Sequence, residues 1–121
     1  MKTITITPKQ ERVLCRALEM LCRLGLGQLW TVAEQLEFLF PDRRLDHWDI
    51  RERYIAPMQK AVLGFDASAS YGISNEQVHD FAKIAYDMEC ALRKPDECAL
   101  HLGSEPMVSV NGVVAKTHKT L

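Results

Sequence analysis

Residues 7–24 have the sequence TPKQERVLCRALEMLCRL, and they set the class of the fold. Thr7 suits an N-cap, Pro8 suits the first helical position, and Gln10 stands where a capping box needs it. Apolar side chains then recur at helical spacing, so one face of this helix is expected to be buried. That face consists of Val13, Leu14, Ala17, Leu18, Leu21 and Leu24.

Three more segments have helical periodicity. The first starts near Gln28 and closes at Pro41, the second covers residues 45–63, and the third begins at Ser74. Pro57 must kink or divide the second segment, because proline removes a hydrogen-bond donor and clashes with the preceding turn. The stripes expected to be buried are, in chain order, Leu29, Val32, Ala33, Leu36, Leu39 and Phe40; Ile50, Tyr54, Met58, Ala61 and Val62; and Val78, Phe81, Ala82, Ala85, Met88 and Leu92.

The two ends of the chain are β-like. Residues 2–7 alternate isoleucine and threonine, and residues 107–110 and 113–116 flank Asn111-Gly112, a dipeptide that favours a tight hairpin. The chain is therefore predicted to be α+β and mainly helical, with about four helices and a small antiparallel sheet from the N-terminal strand and C-terminal hairpin. Residues 1–121 are expected to form a single domain.

Composition disfavours several classes of protein. Of the 121 residues, 47% are apolar and 26% are charged, and the net charge of −1 provides no attraction to nucleic acid or to an anionic membrane. No apolar run approaches the roughly 20 residues that span a bilayer, and the N-terminus is too polar for a signal peptide. The four cysteines lack the dense spacing of a secreted scaffold, which favours reduced thiols in the cytosol.

No catalytic residue is assigned. Serines cluster within residues 64–74, and His79 lies five residues after Ser74. Nothing in the sequence supplies the strand and sharp turn that expose a serine nucleophile. Loop serines and a surface histidine are therefore the favoured interpretation.

No metal site is assigned either. Cys98 and His101 have a spacing that a metal accepts, with Cys90 nearby, but zinc usually needs four ligands in two close pairs. Cys15 and Cys22 are predicted to be buried thiols of the core. The arginines in the middle of the chain are interleaved with acids, as on a solvated face, so no nucleic-acid partner is expected.

The segment between the third and fourth predicted helices, GFDASASYGIS at residues 64–74, is the most informative feature. Its glycines permit close approach to a ligand, and its two aromatic rings suit stacking on a base. Ser74 and Gln77, as a second capping box, predict a helix N-terminus that suits a phosphate. The alternative is an ordinary connector whose aromatic side chains fill the core. The candidate ligand-binding residues are Phe65, Ser70, Tyr71, Gly72, Asn75 and Arg93, of which Arg93 would act on a neighbouring subunit.

Short stretches spread along most of the chain carry a family resemblance. They are ITIT at 4–7, RAL at 16–18, RLGLGQ at 23–28, GF at 64–65, ASYGI at 69–73, AYD at 85–87, LR at 92–93 and EP at 105–106. In this order they resemble the phage-encoded Thoeris anti-defence sponges of the first type, many of whose relatives are unannotated phage proteins.

The resemblance implies a phage or prophage protein that forms homo-oligomers, from dimers towards hexamers, in the cytoplasm of a bacterial host. Such proteins sequester glycocyclic ADP-ribose, the signal made by bacterial TIR-domain defence enzymes, and some also hold cyclic trinucleotides at a separate site. Their pocket uses an aromatic residue and an asparagine ten positions later, matched here by Phe65 and Asn75, and an arginine from the following helix, for which Arg93 is the candidate. Residues 94–98, KPDEC, replace a basic and aromatic stretch of the family, which weakens the expectation of a second phosphate contact.

The expected function is sequestration of a cyclic nucleotide-type immune signal without cleavage, with no enzymatic activity and no cofactor. A second hypothesis is a protein-interaction module that inhibits a host defence complex, in which case Trp30, Trp48 or Tyr54 should be exposed as anchors. A third hypothesis is a small phosphodiesterase or hydrolase.

Overall fold

The computed structural model of the protein describes residues 1–66, 69–94, 100–106, 108–110, 113–114 and 119–120. The chain divides into two compact units. The first unit comprises Met1–Cys22 together with His79–Leu121, and the second comprises Arg23–Val78. The single domain expected from the chain length stays a prediction.

The first helix, α1, covers Pro8–Gly25 and begins as predicted. The backbone N–H of Gln10 donates to Thr7 Oγ1 at 3.1 Å, and the backbone N–H of Thr7 donates to Gln10 Oε1 at 2.8 Å. This reciprocal pair is the capping box that satisfies two free amides at the helix start. The helix ends at Gly25, and Gly27 follows with a φ of +85°, a conformation that glycine adopts readily after a helix.

The second unit holds the middle of the helical pattern. Helix α2, Trp30–Leu39, is followed by a short 3₁₀ turn, Pro41–Arg43. Helix α3, His47–Ile50, then continues through a π-helical turn, Arg51–Ile55, into helix α4, Ala56–Leu63.

Pro57 lies where the helical run from α3 to α4 changes from a π-helical turn to an α-helix, so the run is divided at the predicted place. It occupies the first turn of α4, immediately after the π turn Arg51–Ile55. A proline in an uninterrupted α-helix clashes with the carbonyl four residues earlier. The wider π turn changes the backbone at that point, so the chain remains helical across the proline.

The last helix, α5, belongs to the first unit and covers Asp80–Arg93. Its N-cap is His79, whose Nδ1 accepts the backbone N–H of Phe81 at 3.0 Å. The predicted start at Ser74 is therefore wrong, because residues 73–78 form turns. With α5, four helical regions are present in the described residues, which confirms the mainly helical part of the predicted fold.

The predicted small antiparallel sheet is not supported. Residues 2–7 are exposed and form no strand, since no neighbouring strand pairs with them among the described residues. Strand pairing is limited to two residues at a time, and the Asn111-Gly112 dipeptide lies outside the described residues. Leu100–His101 (β1) pairs in parallel with Lys119–Thr120 (β4), and Ser109–Val110 (β2) pairs antiparallel with Val113–Val114 (β3).

The buried faces differ from several predicted stripes. In α1 the buried side chains are Cys15 and Cys22, as predicted for core thiols, whereas Val13 and Leu21 are exposed. In the run from α3 to α4, Ile55 and Gln59 are buried, and the stripe predicted to be buried is largely exposed. In α5 the predicted stripe is buried at Ala82 and Ala85 and half-buried at Met88 and Leu92, whereas Phe81 is exposed. The members of these stripes that are exposed are Val13, Ala17, Leu21, Leu39, Phe40, Tyr54, Met58, Ala61, Val62 and Phe81.

Candidate functional site

Residues 64–78 of the second unit contain five of the six predicted ligand-binding residues. The segment begins at Gly64, which ends α4 with a φ of +75° and donates its N–H to the carbonyl of Lys60 at 2.9 Å. This left-handed conformation is the one that glycine adopts at the end of a helix. The chain therefore leaves α4 abruptly, and Phe65 follows at once.

Phe65 lies against a glycine of the α1–α2 connection. A Cβ atom at Gly27 would collide with the Phe65 ring, and Gly27 itself has the positive φ that disfavours other residues. The ring is half-buried rather than fully enclosed. The absence of a side chain at Gly27 therefore leaves room for the aromatic ring of Phe65.

Gln59 holds two backbone carbonyls of this segment, and it was not among the predicted site residues. This side chain is completely buried, and its Nε2 donates to the carbonyls of Asp66 at 2.9 Å and Ala69 at 3.2 Å. It lies four residues after buried Ile55 on the same helical face, and that spacing is the signal that was available in the sequence. The buried Gln59 amide therefore holds the backbone in place at Asp66 and at Ala69.

The two predicted stacking residues contact each other. The rings of Phe65 and Tyr71 pack edge to face, with centroids 4.9 Å apart and planes at 78°. The Tyr71 N–H donates to the carbonyl of Leu26 at 2.8 Å, and its hydroxyl donates to Gln77 Oε1 at 2.8 Å. Both ends of Tyr71 are therefore held, and Tyr71 is half-buried like Phe65.

Three further candidates, Ser70, Gly72 and Asn75, are exposed in the same segment. The Ser70 hydroxyl accepts a long hydrogen bond of 3.4 Å from Gln28 Nε2. Asn75 Oδ1 accepts the backbone N–H of Gln77 at 2.8 Å, which is a local turn. This bond does not use the NH₂ group of the Asn75 amide. Serine hydroxyl and asparagine amide groups are thus presented beside the aromatic pair.

The expected phosphate site at the start of the last helix is not formed as predicted. The backbone N–H of Gln77 donates to Asn75 Oδ1, and its side-chain Oε1 accepts the Tyr71 hydroxyl. Gln77 therefore does not complete a capping box with Ser74. The free amides of α5 lie instead after His79 in the first unit, where Asp80 supplies a negative charge. That acidic first turn opposes a phosphate.

Arg93, the sixth candidate, belongs to the first unit. Its Nε pairs with Glu89 Oε1 at 2.7 Å, and its Nη2 pairs with Glu19 Oε2 at 3.2 Å. Burial raises the pKa of the neighbouring Cys15 thiol, and the charge of Arg93 opposes this shift. Arg93 also lines an open, mostly apolar cavity of about 210 Å³ with Tyr86, Glu89, Cys90 and Lys94.

Metal ligands do not converge in the part of the chain that the structure describes. No group of three or more His, Cys, Asp or Glu residues is arranged to hold a metal ion there. Cys15 and Cys22 are buried, Cys90 is half-buried, and Cys98 lies outside the described residues. His101 instead contacts the carbonyl of Glu105 and lies near Asp87.

Exposed aromatic side chains mark a different part of the second unit. Trp48 is 58% exposed and Tyr54 is 61% exposed, whereas Trp30 is half-buried. The guanidinium of Arg51 lies over both indoles, 4.8 Å from the Trp30 centroid and 5.2 Å from that of Trp48. His47 is fixed next to Trp48 by a 2.7 Å contact between its Nδ1 and Glu37 Oε2.

The comparisons with known proteins give no match. The chain matches no protein-family model, and it has no significant similarity to a curated protein or to a solved structure. Among the described helices, none combines the length and apolar character needed to cross a membrane.

Proposed function

We propose that the protein is a phage or prophage anti-defence protein that binds a cyclic nucleotide-type immune signal and does not cleave it. Glycocyclic ADP-ribose is the proposed ligand, with cyclic trinucleotides as further ligands. The protein acts in the cytoplasm of the bacterial host, as a homo-oligomer of two to six copies. Its sequence resemblance to Thoeris anti-defence sponges motivates this assignment.

One structural observation supports the proposal. The buried amide of Gln59 holds the carbonyls of Asp66 and Ala69, and the backbone N–H of Tyr71 donates to the carbonyl of Leu26. The segment around these residues presents an aromatic pair beside the exposed hydroxyl of Ser70 and the exposed amide of Asn75. Aromatic faces suit a base, and neutral donors suit ribose and phosphate oxygens.

The proposed mechanism is mass action. A protein that binds the signal tightly, at a concentration above that of the signal, lowers the free signal below the level its receptor needs. No bond in the ligand has to break, so the site needs complementary surface and hydrogen bonds rather than a nucleophile. Release of intact ligand from the denatured protein is the chemical signature of this mechanism.

Ligand-induced stabilisation tests the proposal. At a hundredfold excess over its dissociation constant, glycocyclic ADP-ribose is expected to stabilise the protein by about 2.7 kcal/mol and to raise Tm by several degrees. The informative variant is Asn75→Asp, because its carboxylate still accepts the Gln77 N–H but repels phosphate. Gln10→Glu is the matched control, an amide-to-acid change at an exposed position of α1.

The expected pattern is a ligand-dependent Tm shift in the wild type and in Gln10→Glu, and none in Asn75→Asp. Light scattering establishes the oligomeric state of each sample, and chromatography shows whether the recovered ligand is intact. Absence of any shift in the oligomeric wild-type protein, or recovery of a linear product, would contradict the proposal.

A second candidate function is a protein-interaction module that inhibits a host defence complex. The exposure of Trp48 and Tyr54 favours it, since tryptophan and tyrosine dominate the energetics of many interfaces. Trp48→Ala and Tyr54→Ala are then expected to abolish recovery of one stoichiometric partner from host lysate. Phe81→Ala, which removes an exposed aromatic ring of the first unit, serves as the control and should retain the partner.

A further inference from the structure

The first turn of α5 is capped by a side chain that can change its charge. His79 is exposed, and its Nδ1 accepts the backbone N–H of Phe81 at 3.0 Å. Most helices are capped by an oxygen of serine, threonine, aspartate or asparagine, which accepts a hydrogen bond throughout the neutral pH range. An ordinary histidine instead gains a proton between about pH 8 and pH 5. The start of α5 therefore depends on a group that titrates.

The hydrogen bond defines the charge state that the cap needs. A backbone N–H can only donate, so His79 Nδ1 must be unprotonated, and the neutral ring carries its proton on Nε2. A protonated imidazole has a hydrogen on both nitrogens and no acceptor. It also places a positive charge at the positive end of the helix dipole. Both effects act in the same direction, so protonation opposes the cap.

The ionisable groups next to His79 are carboxyl groups and a lysine. Asp80 and Lys83 follow it on α5, and Glu76 precedes it. The segment that contacts this end of the helix contributes Ser104, which is neutral and donates its N–H and hydroxyl to Asp80. These two bonds are the main cause of the lowered pKa of Asp80, to which the charges of His79 and Lys83 add. Asp80 is therefore already ionised in the pH range in which a histidine gains its proton.

The surroundings of the ring let a proton reach it without unfolding. The Phe81 ring packs edge to face with the imidazole, with centroids 5.2 Å apart and planes at 85°, and it is 66% exposed. His79 is thus at the surface, next to an aromatic ring that does not enclose it. The Ala82 N–H donates to the His79 carbonyl at 2.9 Å, a backbone bond that protonation of the ring leaves intact. A change at the ring is therefore confined to the first turn of α5.

We propose that His79 is a pH-sensitive helix cap, and that protonation of its ring breaks the hydrogen bond to the Phe81 N–H and loosens the first turn of α5. This inference is independent of the proposed function, because it needs no ligand. His79 is also the residue at which the chain returns from the second unit, which ends at Val78, to the first. The device therefore acts where the chain enters the first unit again.

Hydrogen exchange at the Phe81 amide tests the proposal on the full chain. After correction for the intrinsic exchange rate, its protection in the wild type is expected to fall about fivefold between about pH 7.5 and pH 5, the size of effect that loss of an N-cap gives. His79→Asn keeps an acceptor that does not titrate, so its protection should vary by less than about twofold. His47→Asn, the same change at a histidine of the second unit, should keep the wild-type pH dependence.

A second measurement uses the wild type alone. The ¹⁵N resonance of His79 Nδ1 and the amide proton resonance of Phe81 should shift with one common midpoint as the pH falls. Different midpoints, a Phe81 amide that stays unchanged while His79 gains its proton, or an equal loss of protection in His79→Asn would each overturn the proposal. The wild-type titration also decides the question if His79→Asn does not fold.

Discussion

Helix α5 of the first unit and the helical run from α3 to α4 of the second unit differ in the burial of their predicted apolar faces. In α5 the buried side chains are the small ones, Ala82, Ala85 and Ala91, of which Ala82 and Ala85 belong to the predicted stripe. In the other run, Tyr54 and Val62 are exposed although they belong to the predicted stripe. The difference shows that size matters as well as apolarity, because alanine lets another segment approach the helix closely.

The covering of α5 is visible in detail. Residues 102–104 lie along it, and Asp87 accepts the backbone N–H groups of Leu102 and Gly103, the latter at 2.8 Å. Asp80 accepts both the N–H and the hydroxyl of Ser104. Backbone hydrogen bonds to carboxylates hold this segment in place. No comparable segment contacts the exposed stripe of the run from α3 to α4 within the described residues of the second unit.

The largest effect is expected from adding one methyl group where the segment meets α5. A Cβ at Gly103 would lie 2.9 Å from both the backbone N and the Cα of Ile84, atoms that cannot rotate away. Gly103→Ala is therefore expected to lower the free energy of unfolding by about 2–4 kcal/mol, measured by urea denaturation. Gly72→Ala is the control, since a Cβ there meets nothing within 4 Å. Equal stability of both variants would show that the segment does not pack on α5 as described.

A smaller effect is expected from overfilling the alanine face itself. Ala85 is 2% exposed, so Ala85→Leu should destabilise the protein by about 1–3 kcal/mol. Ala61→Leu makes the same chemical change on the exposed stripe of α4 and should alter stability by less than about 0.5 kcal/mol. Thermal and urea unfolding of the two variants compare the faces directly. A large loss in Ala61→Leu would mean that this stripe is covered.

A still smaller, pH-dependent effect is expected at Ser104. The hydroxyl and N–H of Ser104 hold the pKa of Asp80 below its usual value. A carboxyl with a lowered pKa in the folded state contributes stability above its unfolded pKa, near 3.9, and loses it as pH falls through the lower folded value. Ser104→Ala should therefore be less stable than the wild type at pH 7, and the difference should shrink below about pH 4. Urea titrations from pH 7 to pH 2 measure this difference.

Glu37 is an internal reference for that experiment. Its pKa is also lowered, by bonds from the backbone N–H and the ring of His47, and it lies in the other unit. Ser104→Ala leaves both His47 bonds in place, so the part of the pH dependence due to Glu37 should persist in the variant. A difference between the two proteins that stays constant down to pH 2 would exclude Asp80 as its source.

The smallest effect is expected from polar substitution on the exposed stripe. Val62 is 69% exposed, so Val62→Thr should change the stability of the isolated chain by no more than about 0.5 kcal/mol. If this stripe lies at a contact between copies, the same substitution should shift the oligomeric state in light scattering at unchanged stability. A loss of stability without a change in association would place Val62 in the core.

Local signals were the predictable part of the fold. The capping box of Thr7 and Gln10 and the division of the helix at Pro57 depend on residues adjacent in the chain, and both are confirmed. The start at Ser74 was wrong because Asn75 Oδ1 accepts the Gln77 N–H in a local turn, and His79 Nδ1 accepts the Phe81 N–H and caps the helix instead. The predicted strand at residues 2–7 was wrong because an alternating pattern forms a strand only when another strand pairs with it.

The membership of the candidate site stays a prediction, and the contacts that hold its residues were mostly not predictable from the sequence. The contact of Phe65 with Tyr71 joins two residues that composition singled out. The support by Gln59 was not predictable from polarity alone, since glutamine is usually exposed and only its phase with Ile55 indicated burial. Arg93 cannot be placed from its position along the chain, because its two carboxylate partners come from residues on two different helices.

The close approach of Phe65 to Gly27 has an evolutionary consequence. Since the aromatic ring takes the space that any side chain at position 27 would need, the two positions cannot vary independently. Homologous sequences that keep this loop arrangement should therefore have glycine at position 27 wherever an aromatic residue stands at position 65. The pair is thus a signature by which distant relatives that share this loop arrangement can be recognised.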